Sequence, residues 1–340
     1  MRTGIENWLV DHWYSNRPPP WYLRLLEPVY RAGYQRAQVR GEGGAGLYRS
    51  KLPLVVVGNI TAGGSGKTPL VIRLCQLALE MNLKPGIAST GYGRQGTDTY
   101  IVNGDSDTRV CGDEPVLLAQ RTGVPVVVAA DRLEAVKKLN EMNLDLVFSD
   151  DGLQTAGMCR DIEFCVVDGE RGLGNGHLLP AGPLRESAER LQRVDYVVSN
   201  GQWTAQPAGL SAIAMLLQAT VVRSLDGNNE LTVDQFRHRY SSTKVHAVAA
   251  IGHPQRFFGM LKTLSINAES HGFADHHTYA RGDFSTMEGD SVIIMTEKDA
   301  VKCRSLGLEN AWYVPVETLL PAAFESLFKE RLAQLTKDKA

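Results

Sequence analysis

The chain has 340 residues, 43% hydrophobic and 22% charged, and a formal net charge of −2. That length and balance describe a globular protein of one large or two ordinary domains. The near-neutral charge excludes a general electrostatic pull toward nucleic acid. The longest apolar runs are blocks such as VPVVVAA (124–130), well short of the ~20 residues of a spanning helix. No apolar core with a small-residue cleavage site follows the N-terminus, so neither a membrane span nor export is expected. The five cysteines are odd in number and form no C-x-x-C pair, which reads as reduced thiols in a cytosolic protein, with no zinc-ligand spacing among them.

Residues 1–51 hold eight Arg and Lys against four Asp and Glu. Helical patterns cover 5–14 and 21–40; the second places Trp21, Leu25, Val29 and Ala32 at helical spacing beside Arg24, Arg31, Arg36 and Arg40. Pro28 predicts a kink or two shorter helices. Aromatic, aliphatic and Arg-rich composition suits a helix lying in a membrane interface, and equally a helix packed on the domain with a solvated Arg face.

GEGGAG (41–46) is a break. Six apolar blocks follow, separated by helical stretches: 52–58, 84–90, 124–130, 144–150, 162–169 and 194–200. They are β-branched and show little alternation, as strands buried on both faces do, which predicts a mainly parallel sheet with helices on both sides. A turn cluster, SLDGNNEL (224–231), precedes a second set of blocks at 245–252, 291–300 and 312–317. The expected fold is α/β: a P-loop NTPase-like sheet over 52–222 and a smaller α/β domain over 223–340.

VVVGNITAGGSGKTPL (55–70) puts a buried strand, a Gly-rich turn and a helix in the order that a phosphate loop needs. The usual first glycine is replaced by Thr61; Gly63 and Gly64 supply the freedom from inside the loop. Residues Thr61, Ala62, Gly63, Gly64, Ser65, Gly66, Lys67 and Thr68 are the candidate nucleotide contacts. Backbone N–H groups at the helix start can surround phosphate oxygens, Lys67 can reach the terminal phosphates and Thr68 can ligate Mg²⁺. Asp150 and Asp151 end a buried strand, where acids can hold Mg²⁺ in such a sheet, or simply cap a turn. On residues alone, Asp113 and Glu114 of CGDEP read as caps of a helix beginning at Pro115. FADHHTY (273–279) sets His276 beside Asp275, either a proton-sharing pair or a polar loop. GNGHLLPAGPLRE (174–186), with Arg185 and Glu186, is a long loop of the kind that carries substrate contacts.

GNITAGGSGKTP, GDEP, DDGLQ, GNGHLLPAGPLRE, IGHPQRFF, FADHH and TEKDAVK occur in the order found in the tetraacyldisaccharide 4′-kinases, and the chain resembles that family over roughly residues 5–320. The resemblance makes Thr61 a family variant. It implies ATP-dependent phosphorylation of the 4′-hydroxyl of an acylated glucosamine disaccharide 1-phosphate, giving lipid IVA. It also implies peripheral attachment to the cytoplasmic face of the inner membrane through residues 1–51, with no obligate protein partner evident. It makes Asp113 the general base paired with His276. Glu114 and Asp151 would hold Mg²⁺ with Thr68, Asp150 close by, and Arg185 and Glu186 would line the substrate side. The smaller domain would close over the site to bring His276 to the phosphate loop. Two positions depart from the family pattern: Thr155 follows DDGLQ where His is common, and Thr90 stands where Arg is common, with Arg94 a candidate to compensate. The rival readings are a GTP-driven metallochaperone or switch protein, for which TEKD (296–299) has the guanine-reading letters out of order, and a soluble small-molecule kinase.

Overall fold

The computed structural model describes residues 4–15, 17–42, 47–287 and 289–339. Three helices open the chain: α1 (Gly4–Trp13), α2 (Trp21–Arg24) and α3 (Glu27–Glu42). The break expected at Pro28 separates α2 from α3, and Pro28 lies in the first turn of α3, where its missing N–H costs nothing.

The larger unit runs through β1 (Leu54–Gly58), α4 (Lys67–Glu80), β2 (Pro85–Ser89), β3 (Tyr100–Val102), α5 (Thr108–Cys111), α6 (Asp113–Thr122), β4 (Val126–Val128), α7 (Arg132–Leu139), β5 (Leu146–Asp150), β6 (Ile162–Asp168), β7 (Tyr196–Asn200) and β8 (Ala212–Gln218). The smaller follows as β9 (Val221–Ser224), β10 (Glu230–Thr232), α8 (Val233–Arg239), β11 (Val245–Ala249), α9 (Pro254–Thr263), β12 (Glu269–Gly272), β13 (Val292–Thr296), α10 (Glu297–Cys303) and β14 (Ala311–Val314). The chain ends in β15 (Glu317–Leu319) and α11 (Ala322–Lys339).

Nine strands form the first sheet in the order β15-β8-β7-β6-β1-β5-β2-β4-β3, and six form the second in the order β10-β9-β14-β13-β11-β12. The six expected strands of the larger unit are all present and pair in parallel; the edge strands β3 and β15 run antiparallel. Every residue of β1 is buried. Val55 and Val57 pack with Leu70, Leu74 and Leu77 of α4, while Leu54 and Val56 pack on the other side with Ile60, Leu153 and Cys165. Continuous Val runs follow from this double burial. β1 lies between β5 and β6, so the chain leaves it at a switch point, where the carboxyl ends of strands open a crevice.

The structure corrects three local expectations. Residues from Glu317 onward, assigned with the smaller domain in sequence, return to the larger one: β15 pairs with β8, and Phe324, Phe328, Leu332 and Leu335 of α11 complete the core beneath α4. The block 291–300 is strand only to Thr296, whose side chain accepts a hydrogen bond from the Asp299 N–H and starts α10. The helix expected from Pro115 begins at Asp113. The boundary near 223 falls inside β9, the first strand of the second sheet.

Candidate active site

The turn after β1 is held from both sides. Asn59 is fully buried, and its amide donates to the carbonyls of Thr61 (2.8 Å) and Gly63 (3.3 Å). Thr61 bridges to Leu184, and the Ala62 N–H donates to Pro183 O at 2.7 Å, so the start of the loop is tied to the 174–186 segment. This answers why no glycine is needed at position 61: left-handed backbone falls at Gly63 (φ +99°) and Gly66 (φ +96°) instead. At Gly66 a Cβ would also lie 2.3 Å from the Asn200 amide, which donates to Ser65 O at 3.0 Å. The Ala62 amide is spent on Pro183. The N–H groups from Gly63 to Thr68 make no hydrogen bond to other described residues and face the opening at the start of α4.

Lys67 reaches back across this turn, 3.2 Å from Asn59 Oδ1 and 3.5 Å from Asp151 Oδ1. Asp150, at the end of β5, is completely buried; burial, with Glu114 and Asp151 nearby, pushes its carboxyl up to about 7. Burial also acts on Asp151, but Lys67, Arg185 and Arg132 outweigh it and hold the group at about 2. Asp151 adopts a left-handed backbone (φ +54°), which turns its side chain away from the strand line. Asp150 Oδ1 and Asp151 Oδ1 are both buried without a hydrogen bond. Two crowded carboxylates with orphaned oxygens, beside the hydroxyl of Thr68 and the carboxylate of Glu114, are the hard oxygen donors that Mg²⁺ takes.

Opposite the loop stands the second sheet. The two sheets enclose a cleft of about 880 Å³, lined on one side by residues including Lys67, Thr68, Glu114, Asp151 and Arg185 and on the other by Gly252, Asp275, His276 and Lys298. His276 Nδ1 lies 3.1 and 3.2 Å from the two oxygens of Asp113, joining residues 163 apart in sequence. Burial raises the Asp113 carboxyl, but Lys298, His276 and Lys302 overcome it and hold the group well below its ordinary range. Burial and the Lys298 charge depress His276, and the Asp113 hydrogen bond together with the charges of Asp113 and Asp275 leaves it raised above its ordinary value. His276 faces the cleft and Asp113, only 5% exposed, backs it.

Lys298 went unassigned in the sequence and proves central. Its ammonium is 2.9 Å from Glu114 Oε1, 3.4 Å from His276 Nε2, and 3.8 Å from both Asp113 and Asp275. The rest of TEKD is equally committed: Glu297 pairs with Arg121 at 2.6 Å and Asp299 is buried under the start of α10. That segment is therefore spent on holding the two domains together, not on reading a guanine base. Gly252 presses on the phosphate loop so closely that a Cβ there would lie 2.3 Å from Gly64 N.

The 174–186 loop divides its two candidates. Arg185 faces the cleft, 3.3 Å from Asp151 Oδ2. Glu186 accepts from Gln154 Nε2 at 2.6 Å and lies 3.4 Å from Arg190, contacts that brace the loop. The same loop carries the N-terminal helices. Trp13 Nε1 donates to Pro180 O, Tyr30 Oη donates to Arg185 O, and Glu27 accepts from the Leu178 N–H. Trp21, Tyr22, Leu25, Leu26 and Val29 meanwhile stay exposed. The two departures Thr90 and Thr155 meet at one side chain, the buried Arg132, whose guanidinium donates to Thr155 Oγ1 (2.8 Å) and Thr90 Oγ1 (3.4 Å) beside Asp150 and Asp151.

The family model described as tetraacyldisaccharide-1-P 4′-kinase (LpxK) matches residues 19–333. A tetraacyldisaccharide 4′-kinase of Stenotrophomonas maltophilia is 45% identical over 334 residues, covering 95% of this chain and 96% of the relative. One from Azotobacter vinelandii is 43% identical over 337 residues, covering 98% of each chain. Among solved structures, LpxK from Aquifex aeolicus in complex with ATP superposes with a TM-score of 0.73 at 26% identity, covering 93% of this chain and 97% of that one.

Proposed function

Because the chain belongs to the tetraacyldisaccharide 4′-kinase family, and so phosphorylates the 4′-hydroxyl of an acylated glucosamine disaccharide 1-phosphate from ATP to give lipid IVA, we propose that the cleft between its two sheets is where transfer occurs, with Asp113 and His276 acting together as the base. The observation that carries this reading is the Asp113–His276 contact, made between domains on the wall facing Lys67. The free amides of the phosphate loop and Lys67 hold the triphosphate. Thr68, Glu114 and Asp151, with Asp150 close by, hold Mg²⁺, which supplies positive charge to the phosphoryl oxygens.

In-line transfer leaves the protein mainly positioning and charge stabilisation to perform. A sugar hydroxyl ionises far above neutrality, so its proton leaves late. Asp113, kept ionised by Lys298 and Lys302, accepts that proton on its carboxylate, and His276, hydrogen-bonded to it, holds it in position. Lys298 also ties Glu114 and His276 to one centre, so base and metal ligand move as a unit. Arg185 completes the acceptor side.

No helix among the described residues is long and apolar enough to cross a membrane. The exposed Trp21, Tyr22, Leu25, Leu26 and Val29, with neighbouring arginines, suit peripheral attachment. ATP is cytoplasmic, which puts that attachment on the cytoplasmic face of the inner membrane. Incubation with γ-labelled ATP, Mg²⁺ and the acylated disaccharide 1-phosphate tests the assignment. Lys67→Ala should lose transfer, and Asp113→Ala should lower kcat by about 10²–10⁴ with the KM for ATP little changed. A near-normal rate in Asp113→Ala would remove it from the base.

A further inference from the structure

Outside the cleft, on the far edge of the smaller sheet, three ligating side chains converge. His246 lies on β11 and Glu269 and His271 on the edge strand β12, which pairs with β11 in parallel, His246 opposite Glu269 and Val248 opposite His271. His246 Nδ1 is 2.9 Å from His271 Nε2. The Glu269 carboxylate stands 3.8 Å from each of these nitrogens, and all three ligand atoms fall within 4.8 Å of one another. The His246 side chain is buried, His271 is about a fifth exposed and Glu269 about half.

From this convergence we propose that His246, Glu269 and His271 bind a divalent transition-metal ion of the zinc type, distinct from the magnesium used in transfer. Two imidazoles and a carboxylate are borderline donors that suit zinc, whereas magnesium prefers oxygen alone. The geometry is near what is required. Two nitrogens bound tetrahedrally at about 2.0–2.1 Å stand roughly 3.3 Å apart, so the rings need to separate by only a few tenths of an ångström. Oε2 of Glu269 is the oxygen near His246 and Oε1 the one near His271, so the half-exposed side chain turns and approaches to bring its oxygens to the ion. One ring moves its proton to its other nitrogen, so that both facing nitrogens present lone pairs. Lys244, 2.8 Å from Glu269, gives up an exposed ion pair of the kind that contributes little. β12 runs directly into the loop that carries Asp275 and His276, so an ion here pins the strand that delivers His276 to the cleft.

The test is titration of the full-length, chelator-treated protein with zinc chloride by calorimetry, with a parallel thermal melt, in the presence of excess magnesium. The expected result is one zinc ion bound at micromolar or tighter Kd, a rise in Tm, and hydrogen-exchange protection at 269–272. His271→Ala, at an edge position that folding tolerates, should weaken zinc at least tenfold and abolish the Tm shift; Glu269→Ala should weaken it less. Unchanged zinc affinity in folded His271→Ala would place the ion elsewhere, for example at Asp168, Glu170 and His253, and would overturn the proposal. So would the absence of zinc binding, or equal competition by magnesium.

Discussion

Gly252 shows how much of this site rests on single atoms. It carries no unusual φ, so its necessity is one of space: a Cβ would meet the backbone of Gly64 at 2.3 Å from N and 3.0 Å from Cα. Backbone cannot yield as a side-chain tip can, so Gly252→Ala should push the second domain off the phosphate loop. A shift near 1 Å costs up to about 10²-fold in rate. Steady-state kinetics on the variant should show kcat reduced tenfold or more, and wild-type turnover would show that this approach is not needed. His276 gives a pH signature. Its folded pKa lies above the ordinary 6.5, so its contribution to stability is complete below pH 6.5 and fades as pH rises through the raised value. Asp113 is depressed below 3.8, so its share is present above that and lost as pH falls through the lowered value. The pair therefore acts fully between the two. The Tm gap between wild type and His276→Gln should be larger near about pH 5.5 than near about pH 8.5; a gap independent of pH would mean the contact is not ionic. The phosphate loop and the two acids after β5 were legible in the sequence because strand, turn, Lys67 and Thr68 are consecutive. Lys298, Gly252 and Arg132 were not, because each matters through contacts with residues distant in sequence, Glu114, Gly64 and the pair Thr90 and Thr155.

At the scale of elements, legibility followed burial. The strands buried on both faces stood out as Val-rich blocks. The edge strands β3, β10 and β12 are mostly exposed and carry no such run. β8 and β9 escaped for a related reason, their buried residues being interrupted by exposed ones in β8 and by partly exposed ones in β9. Reading 291–300 as one strand hid the helix start at Thr296 and with it Lys298. The return of β15 and α11 to the first sheet has no local signal at all: Phe324 and Phe328 would be equally at home under either sheet, and only their fit against Phe164 decides. The N-terminal helices were legible as amphipathic, but not in how they dock on the 174–186 loop. Their outward residues make a separate prediction. Burying a large apolar side chain in a membrane interface is worth about 1.5–3 kcal/mol. Trp21→Glu with Leu25→Glu should therefore lower co-sedimentation with anionic lipid vesicles by at least about tenfold, while ATP binding is retained. Unchanged vesicle binding would assign these residues to another surface.

Taken as a whole molecule, the protein divides one site between two sheets. The larger sheet brings the phosphate loop, the acids at the end of β5 and Asp113; the smaller brings His276, Asp275 and Lys298. Ion pairs ring the junction: Arg121 with Glu297, Lys298 with Glu114, and Arg256 with Asp168. The sequence pointed to two α/β units, with closure of the second over the first as an expectation. It could not show that the Lys298 ammonium brings Glu114 and His276 to the same centre. The most direct test of a base assembled across the two domains is a double-mutant cycle on kcat with Asp113→Ala, His276→Ala and the combined variant. If the two residues act as one unit, the double variant loses about as much as Asp113→Ala alone. Losses that multiply, with the double variant falling by the product of the single effects, would contradict the account.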